Sequence, residues 1–288
     1  MKKDQEFRVD TESALLGFLL TCFPNKSRNY VKGILKRGQI AVNGEVCKDF
    51  SRILYPGQQV KALLNILPNP DEMSIPIIYE DDAVVVINKP AGMLAVASDI
   101  ENENTAFHIV NEHMKKGSNH GRIFIVHRLD RDTSGVMLLA KSEKIKLALQ
   151  ENWADNAIHR GYLAVVEGNV SIPKKRIVSW LKQTKTLLVY SSNRESDGKI
   201  AITNYETLQT TDRYSLLDIS LETGRKNQIR VHMKDIGHPI AGDKKYGAVT
   251  DPFKRMGLHA STLIIKHPQT GEQMRFEAPI PNAFRRVF

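Results

Sequence analysis

The sequence predicts an α+β protein, with a large mixed, mainly antiparallel sheet, flanking helices and a small α/β unit in front. Three observations lead there. Beyond residue 76 many short apolar runs bounded by turn residues follow one another, as strands do. Their spacing is too irregular for repeated βαβ units. The first 65 residues instead carry helical spacing and then a tight-turn signal. With 288 residues, 41% hydrophobic and 25% charged, the chain can bury a real core.

The elements follow in order. ALLGFLLTCF (14–23) has the length of a signal-peptide apolar region, but Asp4, Glu6, Asp10 and Glu12 stand where a basic segment belongs. It is also too short to cross a bilayer, which takes about 20 residues. It is therefore read as an amphipathic core helix of a cytoplasmic protein. In SRNYVKGILKRG, Ser27 suits an N-cap, Tyr30, Val31, Ile34 and Leu35 recur at helical spacing, and Gly38 suits the helix end. Arg28, Lys32 and Lys36 form a second, basic stripe with Arg37 following. IAVNGEV, broken by Asn43-Gly44, signals a hairpin.

PNPDEMSIP (68–76) reads as a polar linker, so residues 1–67 are expected to form one domain and 77–288 another. In the second, AVVVI (83–87), IFIV (123–126), VMLLA (136–140), YLAVVEG (162–168), TLLVY (186–190), YSLLDISL (214–221) and STLIIK (261–266) are the candidate strands. SEKIKLALQENW (142–153) opens on a serine cap and spaces Ile145, Leu149 and Trp153 four apart. NQIRVHMKDIG (227–237) places Ile229, Met233 and Ile236 on one helical face.

The net charge of +9 favours a polyanionic partner, nucleic acid before membrane. Cys22 and Cys47 are too few for a disulfide scaffold or a zinc site, and the nine histidines lack metal-ligand spacing. No metal is expected, and both thiols are expected to be reduced.

The most unusual segment is HRLDRDTSG (127–135), a dense charge cluster between two apolar runs. Opposite charge close to an aspartate favours its ionised form, and such a carboxylate can act as nucleophile or electrostatic partner. The plainer reading is a turn aspartate with solubilising arginines. A Ser134–His127–Asp130 hydrolase reading is weaker, because no nucleophile elbow is present. The basic helix has two readings as well, a phosphate-binding face or a solvated one.

Five segments stand in order: IIYEDDAVVVINKPAGMLAV, HRLDRDTSGVMLLAKS, HRGYLAVVEG, LETGRKNQIRVHMKDIGHPIAGDKKYG and LHASTLIIKHPQTGEQMRFEAPIP. Together they resemble the RluA-type family of pseudouridine synthases, over roughly residues 75–288. The N-terminal segment resembles the small alpha-L RNA-binding domain shared by a small-subunit ribosomal protein and many RNA-modifying enzymes. The resemblance implies conversion of specific uridines in structured RNA to pseudouridine, without metal or cofactor; a monomer is expected. Large-subunit ribosomal RNA is the leading substrate and transfer RNA the runner-up. A non-catalytic RNA-binding or ribosome-assembly protein keeping the fold is the rival.

By motif position the resemblance makes Asp130 the catalytic carboxylate and Arg128 the arginine that fills the space left by a flipped uridine. Tyr162 would stack on the target base. Its ordinary pKa near 10 makes it a poor base at neutral pH. Arg230 would hold Asp130 through a forked pair of hydrogen bonds, Ile229 would line the uracil pocket, and Arg225 would touch substrate. Arg28, Lys32 and Lys36 would meet RNA phosphates. Where many relatives have histidine this chain has Asn227, which can hydrogen-bond but not carry charge. The polar stretch before the charged segment (98–122) is expected to be mobile and to shape the RNA entrance.

Overall fold

The computed structural model describes residues 4–24, 26, 28–36, 38–62, 75–97, 104–116 and 122–288. The predicted Ser27 cap, Arg37, most of the 68–76 linker and the side chain of Lys36 lie outside the described residues. The chain divides into two compact units, residues 1–74 with 98–102, and 75–97 with 103–288.

In the smaller unit, β1 (Gln5–Arg8), β6 (Gln59–Ala62), β3 (Ile40–Val42) and β4 (Glu45–Val46) form one antiparallel sheet in that order. A short pair, β2 (Ser13–Ala14) with β5 (Ile53–Leu54), precedes and follows the helices. Asn43 (φ 51°) and Gly44 (φ 87°) make the β3–β4 turn, both in the left-handed region that an Asn-Gly hairpin requires. Helices α1 (Leu15–Cys22) and α2 (Arg28–Lys36) pack their apolar faces inward. Leu15, Leu19, Val31, Ile34 and Leu35 are all at most 1% exposed, with Ile40, Leu54 and Val60 beneath them.

The larger unit is built on an eleven-stranded sheet. Its strands are β7 (Ile77–Glu80), β8 (Val84–Lys89), β9 (Phe124–Ile125), β10 (Ser134–Ala140), β11 (His159–Glu167), β12 (Lys174–Gln183), β13 (Val189–Ser192), β14 (Lys199–Thr210), β15 (Tyr214–Leu221), β16 (Leu258–Lys266) and β17 (Gln273–Glu277). The path runs β13-β12-β14-β15-β11-β16-β10-β8-β7, with β17 added to β16 and β9 to β10. Every pairing is antiparallel except β10 on β16, which makes the sheet mixed. The predicted fold class is the observed one. The fully buried runs of β8, β10 and β11 explain why they read as continuous apolar stretches.

Helices α3 (Ala106–Lys116), α4 (Glu143–Glu151), α5 (Trp153–Asn156), α6 (Gln228–Asp235) and α7 (Asn282–Arg285) flank this sheet. Ser142 caps α4 by accepting from the Ile145 amide, as its sequence predicts. Three expectations change. Part of the stretch read as mobile is α3, which buries Ala106, Val110 and Met114 four residues apart; its polar residues hid that stripe. The strand expected at 186–190 begins only at Val189, because Thr184–Leu188 is a turn with Leu187 at φ 63°. The long β12 and β14 escaped notice because Lys, Arg, Thr and Asn fill their outward positions.

Candidate active site

The charged segment 127–133 closes a wide hairpin between β9 and β10, and each of its ends is pinned. At the start, His127 Nε2 accepts from the Leu138 amide (3.0 Å), and its ring stacks on Trp153 at 4.9 Å. Burial pulls the His127 pKa down to about 4, so the ring is neutral. At the other end Ser134 Oγ accepts from Arg255 Nη2 (2.8 Å) and donates to His259 Nδ1 (2.8 Å), because His259 Nε2 faces the Ala278 carbonyl (3.4 Å) and so carries the ring proton. That buried pairing takes Ser134 away from His127 and Asp130, so the hydrolase reading falls. Gly135, at φ 115°, runs so close to β16 that an added Cβ would sit 2.0 Å from the Ala260 carbonyl oxygen. Only glycine fits there.

Lys89, at the end of β8, is 0% exposed and lies under this hairpin loop. Its Nζ donates to the carbonyls of Pro90 (2.8 Å), Met93 (2.8 Å) and Arg131 (3.1 Å), three acceptors for the three hydrogens of an ammonium. Burial lowers its pKa to about 7, while Asp132 and Asp130 pull the other way. Charge in this loop is thus matched to buried structure on one side and left open on the other.

The open side borders a cleft of ≈ 350 Å³ lined by Arg128, Asp130, Tyr162, Arg225, Ile229 and Arg230, among others. Six of the sequence-predicted residues therefore come together. Asp130 keeps 28% of its side chain exposed. Arg230, on the first turn of α6, donates from Nη1 to Asp130 Oδ2 at 3.3 Å. Ile229 is buried at the cleft wall, and Arg128 and Arg225 are exposed at its rim, Arg225 donating from Nε to the Ile200 carbonyl (2.9 Å). Arg28 and Lys32 belong to the other unit. Arg28 is exposed there, and Lys32 Nζ stands 5.8 Å from the centre of the Phe50 ring.

One expectation needs correction. The fork of Arg230 holds Asp243 and not Asp130: Nε and Nη2 donate to its two carboxylate oxygens, both at 2.7 Å. Asp243 is almost wholly buried, whereas Asp130 receives one longer bond, from Nη1, which Asn227 shares. Burial alone would lower the pKa of Arg230. The bonds and charge of Asp243, and then those of Asp130, raise it above its ordinary value. Asp243 thus neutralises and orients the arginine, and Asp130 keeps free lone pairs toward the cleft.

Three further residues complete the frame. The Arg230 guanidinium lies over the Tyr246 ring at 4.8 Å. Asn227 Oδ1 accepts from Arg230 Nη1 (3.3 Å), and its Nδ2 donates to the Tyr246 hydroxyl (2.9 Å). Asn227 sits at φ 56°, a left-handed position asparagine tolerates well, so uncharged bridging suffices there. Gln228 Oε1 accepts from Thr223 Oγ1 and the Arg225 amide, and its Nε2 donates to the Ile202 carbonyl and Thr203 Oγ1, fixing the loop before α6. Sequence reasoning assigned no role to Lys89, Gln228, Asp243 or Tyr246. All four lie inside the quoted segments, but nothing in their spacing says which side chains meet.

Tyr162, on β11, faces the cleft half-buried. Burial pushes its pKa up to about 12; nearby Arg160 lowers it and Asp130 raises it again. The phenol therefore stays protonated at neutral pH and offers a ring face.

Residues 83–235 match the RNA pseudouridylate synthase family. The chain belongs to the RNA pseudouridine synthase family. An uncharacterized RNA pseudouridine synthase of Bacillus subtilis, YlyB, is 37% identical over 279 residues, covering 92% of this chain and 89% of that one. The ribosomal large subunit pseudouridine synthase D of Neisseria meningitidis is 33% identical over 281 residues, 92% of this chain and 75% of its own. The solved human RNA pseudouridylate synthase domain containing 4 superposes with a TM-score of 0.61 at 22% identity, over 74% of this chain and 92% of that one. That last likeness concerns the fold alone. The RluA-type family read from the motifs stands, and this pseudouridine synthase is an isomerase acting on uridine in RNA. No described helix is long and apolar enough to cross a membrane, and no described group of His, Cys, Asp or Glu could hold a metal ion.

Proposed function

We propose that this synthase isomerises specific uridines of large-subunit ribosomal RNA in the cytoplasm, as a monomer, with Asp130 as its catalytic carboxylate. The observation that carries the reading is the division of labour around Arg230. Buried Asp243 satisfies the cation, so Asp130 is steered without being consumed and stays partly open to a nucleotide-sized cleft. The names of relatives such as the Neisseria synthase D support the substrate class.

In the reaction the bond from ribose C1′ to uracil N1 breaks, the base turns, and C1′ joins C5. The proton leaving C5 balances the one gained at N1, so no outside reactant is required. Asp130 meets the ribose–base unit, and Arg230 stabilises its negative charge. The Tyr162 ring packs on the extruded base, an interaction worth ~1–3 kcal/mol. Arg128, exposed at the rim, occupies the gap that the base leaves, where unstacking costs a few kcal/mol. Ile229 gives the pocket its apolar floor. The smaller unit binds RNA as an alpha-L-type domain through Arg28, Lys32 and Lys36.

Pseudouridine mapping of total RNA from a strain lacking the gene tests this. Sites in large-subunit ribosomal RNA are expected to vanish, to return with the wild-type gene, and to stay absent with Asp130→Asn, whose RNA affinity stays within a few-fold. Vanishing sites in transfer RNA would move the substrate. Restored sites with Asp130→Asn would remove that residue from catalysis.

A further inference from the structure

Beside the cleft lies a second cavity, of ≈ 520 Å³, that the reaction as described leaves unused. Arg128, Tyr162, Leu221, Gly224 and Arg225 border both. Its central cation is Arg160, two residues before Tyr162 on β11. Arg160 Nη2 donates to the carbonyls of Leu221 (3.1 Å) and Glu222 (2.7 Å), which sets the guanidinium in place. Its Nε is buried with no hydrogen-bond partner among the described residues. A Cβ on Gly224 would stand 2.8 Å from Arg160 Nη1, so glycine there leaves room for the guanidinium.

Such a cation is poorly compensated. Burial lowers the pKa of Arg160, Tyr162 raises it, and the like charge of Arg225 lowers it again. The carboxylate nearest in sequence to its partners, Glu222, is engaged by Arg176 (2.8 and 2.9 Å) and Asn204 (2.9 Å), and Glu151 at the margin is exposed. A desolvated, under-compensated guanidinium with a second arginine close by gains from an anion. His127 and Trp153 line the same cavity, stacked on each other at 4.9 Å and 25°. They supply uncharged aromatic surface of the kind on which bases pack.

We propose that this cavity is a second nucleotide subsite, which takes the RNA nucleotide next to the target uridine. Its phosphate lies on Arg160 and Arg225 and its base against the His127–Trp153 pair. The volume falls in the range of small-ligand pockets, roughly 300–1,000 Å³. The subsite rests on the reading of the neighbouring cleft as the uridine site, because a strand passing Tyr162 would place consecutive nucleotides in the two. It gives the enzyme a means of reading the neighbour of its target as well as the target itself.

The chain has two tryptophans, so the full-length Trp180→Phe protein leaves Trp153 as sole reporter. Its fluorescence is titrated with the trinucleotide UpUpU and, as a phosphate-free control, with uridine. UpUpU is expected to quench Trp153 with a midpoint ~10-fold below that of uridine, the size of a charge-assisted hydrogen bond. Arg160→Met is expected to erase that preference, and Arg160→Lys, which keeps the charge and loses the fork, to retain it in weaker form. Equal midpoints for the two probes overturn the subsite. So does an undiminished preference in Arg160→Met or, should that variant not fold, one in Arg160→Lys equal to the parent's. Pseudouridine formation on an in vitro large-subunit ribosomal RNA transcript is scored in parallel. Its absence with the quenching preference intact overturns the substrate reading alone, whereas normal turnover without the preference overturns the subsite alone.

Discussion

The two compact units bury very different things. Among the described residues the smaller one buries Gln39 and otherwise apolar side chains, and none of its described cations is fully buried. The larger one buries Lys89, Asn227, Gln228, His232, Asp243 and His259 besides a string of hydroxyls. Taking charge out of water costs several kcal/mol per ion unless partners are built around it. The smaller unit is thus a core that displays charge, and the larger one spends stability on holding charge in place. The difference teaches where to look: a cation such as exposed Arg28 on α2 describes an affinity, whereas buried, partnered ones around Asp130 describe a geometry.

Removing one buried partner should break that contrast most visibly. Asp243→Asn leaves Arg230 under-compensated, and truncating a buried ion pair typically costs ~3–5 kcal/mol. The melting temperature should fall. At temperatures where the variant is still folded, turnover should also fall, because the freed fork turns to Asp130 and consumes its lone pairs. A variant that melts early yet turns over normally would show that Asp243 serves stability alone.

Acid sharpens the contrast next. All nine histidines lie beyond residue 107, none in residues 1–74. Burial holds His127, His232 and His259 at about 4, below the ordinary 6.5. Between those values the unfolded chain binds protons that the folded chain does not. Stability is therefore full above about 6.5 and lost as pH falls toward 4. Melting followed by hydrogen exchange should show that loss in the larger unit, with the amides of α1 and α2 little changed. Equal loss in both units would deny that the histidines cause it.

The smallest effect belongs to the basic face of α2. Arg28→Gln and Lys32→Gln should leave stability within ~0.5 kcal/mol. Each should reduce the slope of log affinity against log salt for RNA by roughly 0.7–0.9. An unchanged slope would mean that α2 is merely solvated.

Much of this molecule is legible in order along the chain. Continuous apolar runs mark β8, β10 and β11, alternation marks β15, the Ser142 cap and its spacing mark α4, and Asn43-Gly44 marks its hairpin, because these depend on neighbours a few residues apart. Polar dressing hid α3, β12 and β14, since a stripe of small or medium apolar residues among charges carries little periodic signal. The candidate site followed the same rule. Its lining residues Arg128, Asp130, Tyr162, Arg225, Ile229 and Arg230 could be named from motifs. The contact of Arg230 with Asp130 could be named as well, but not that its fork goes to Asp243.

What the sequence by itself determined is therefore the family, the fold class and six of the groups that line the cleft, since local pattern and motif chemistry are properties of short segments. Which carboxylate the fork of Arg230 grips, why Gly135 admits no side chain, and that Lys89 underlies the hairpin loop were decided by tertiary structure alone. Those facts depend on segments far apart in the chain meeting within hydrogen-bond reach, and hydrogen-bond energy depends on separation in space and not along the chain.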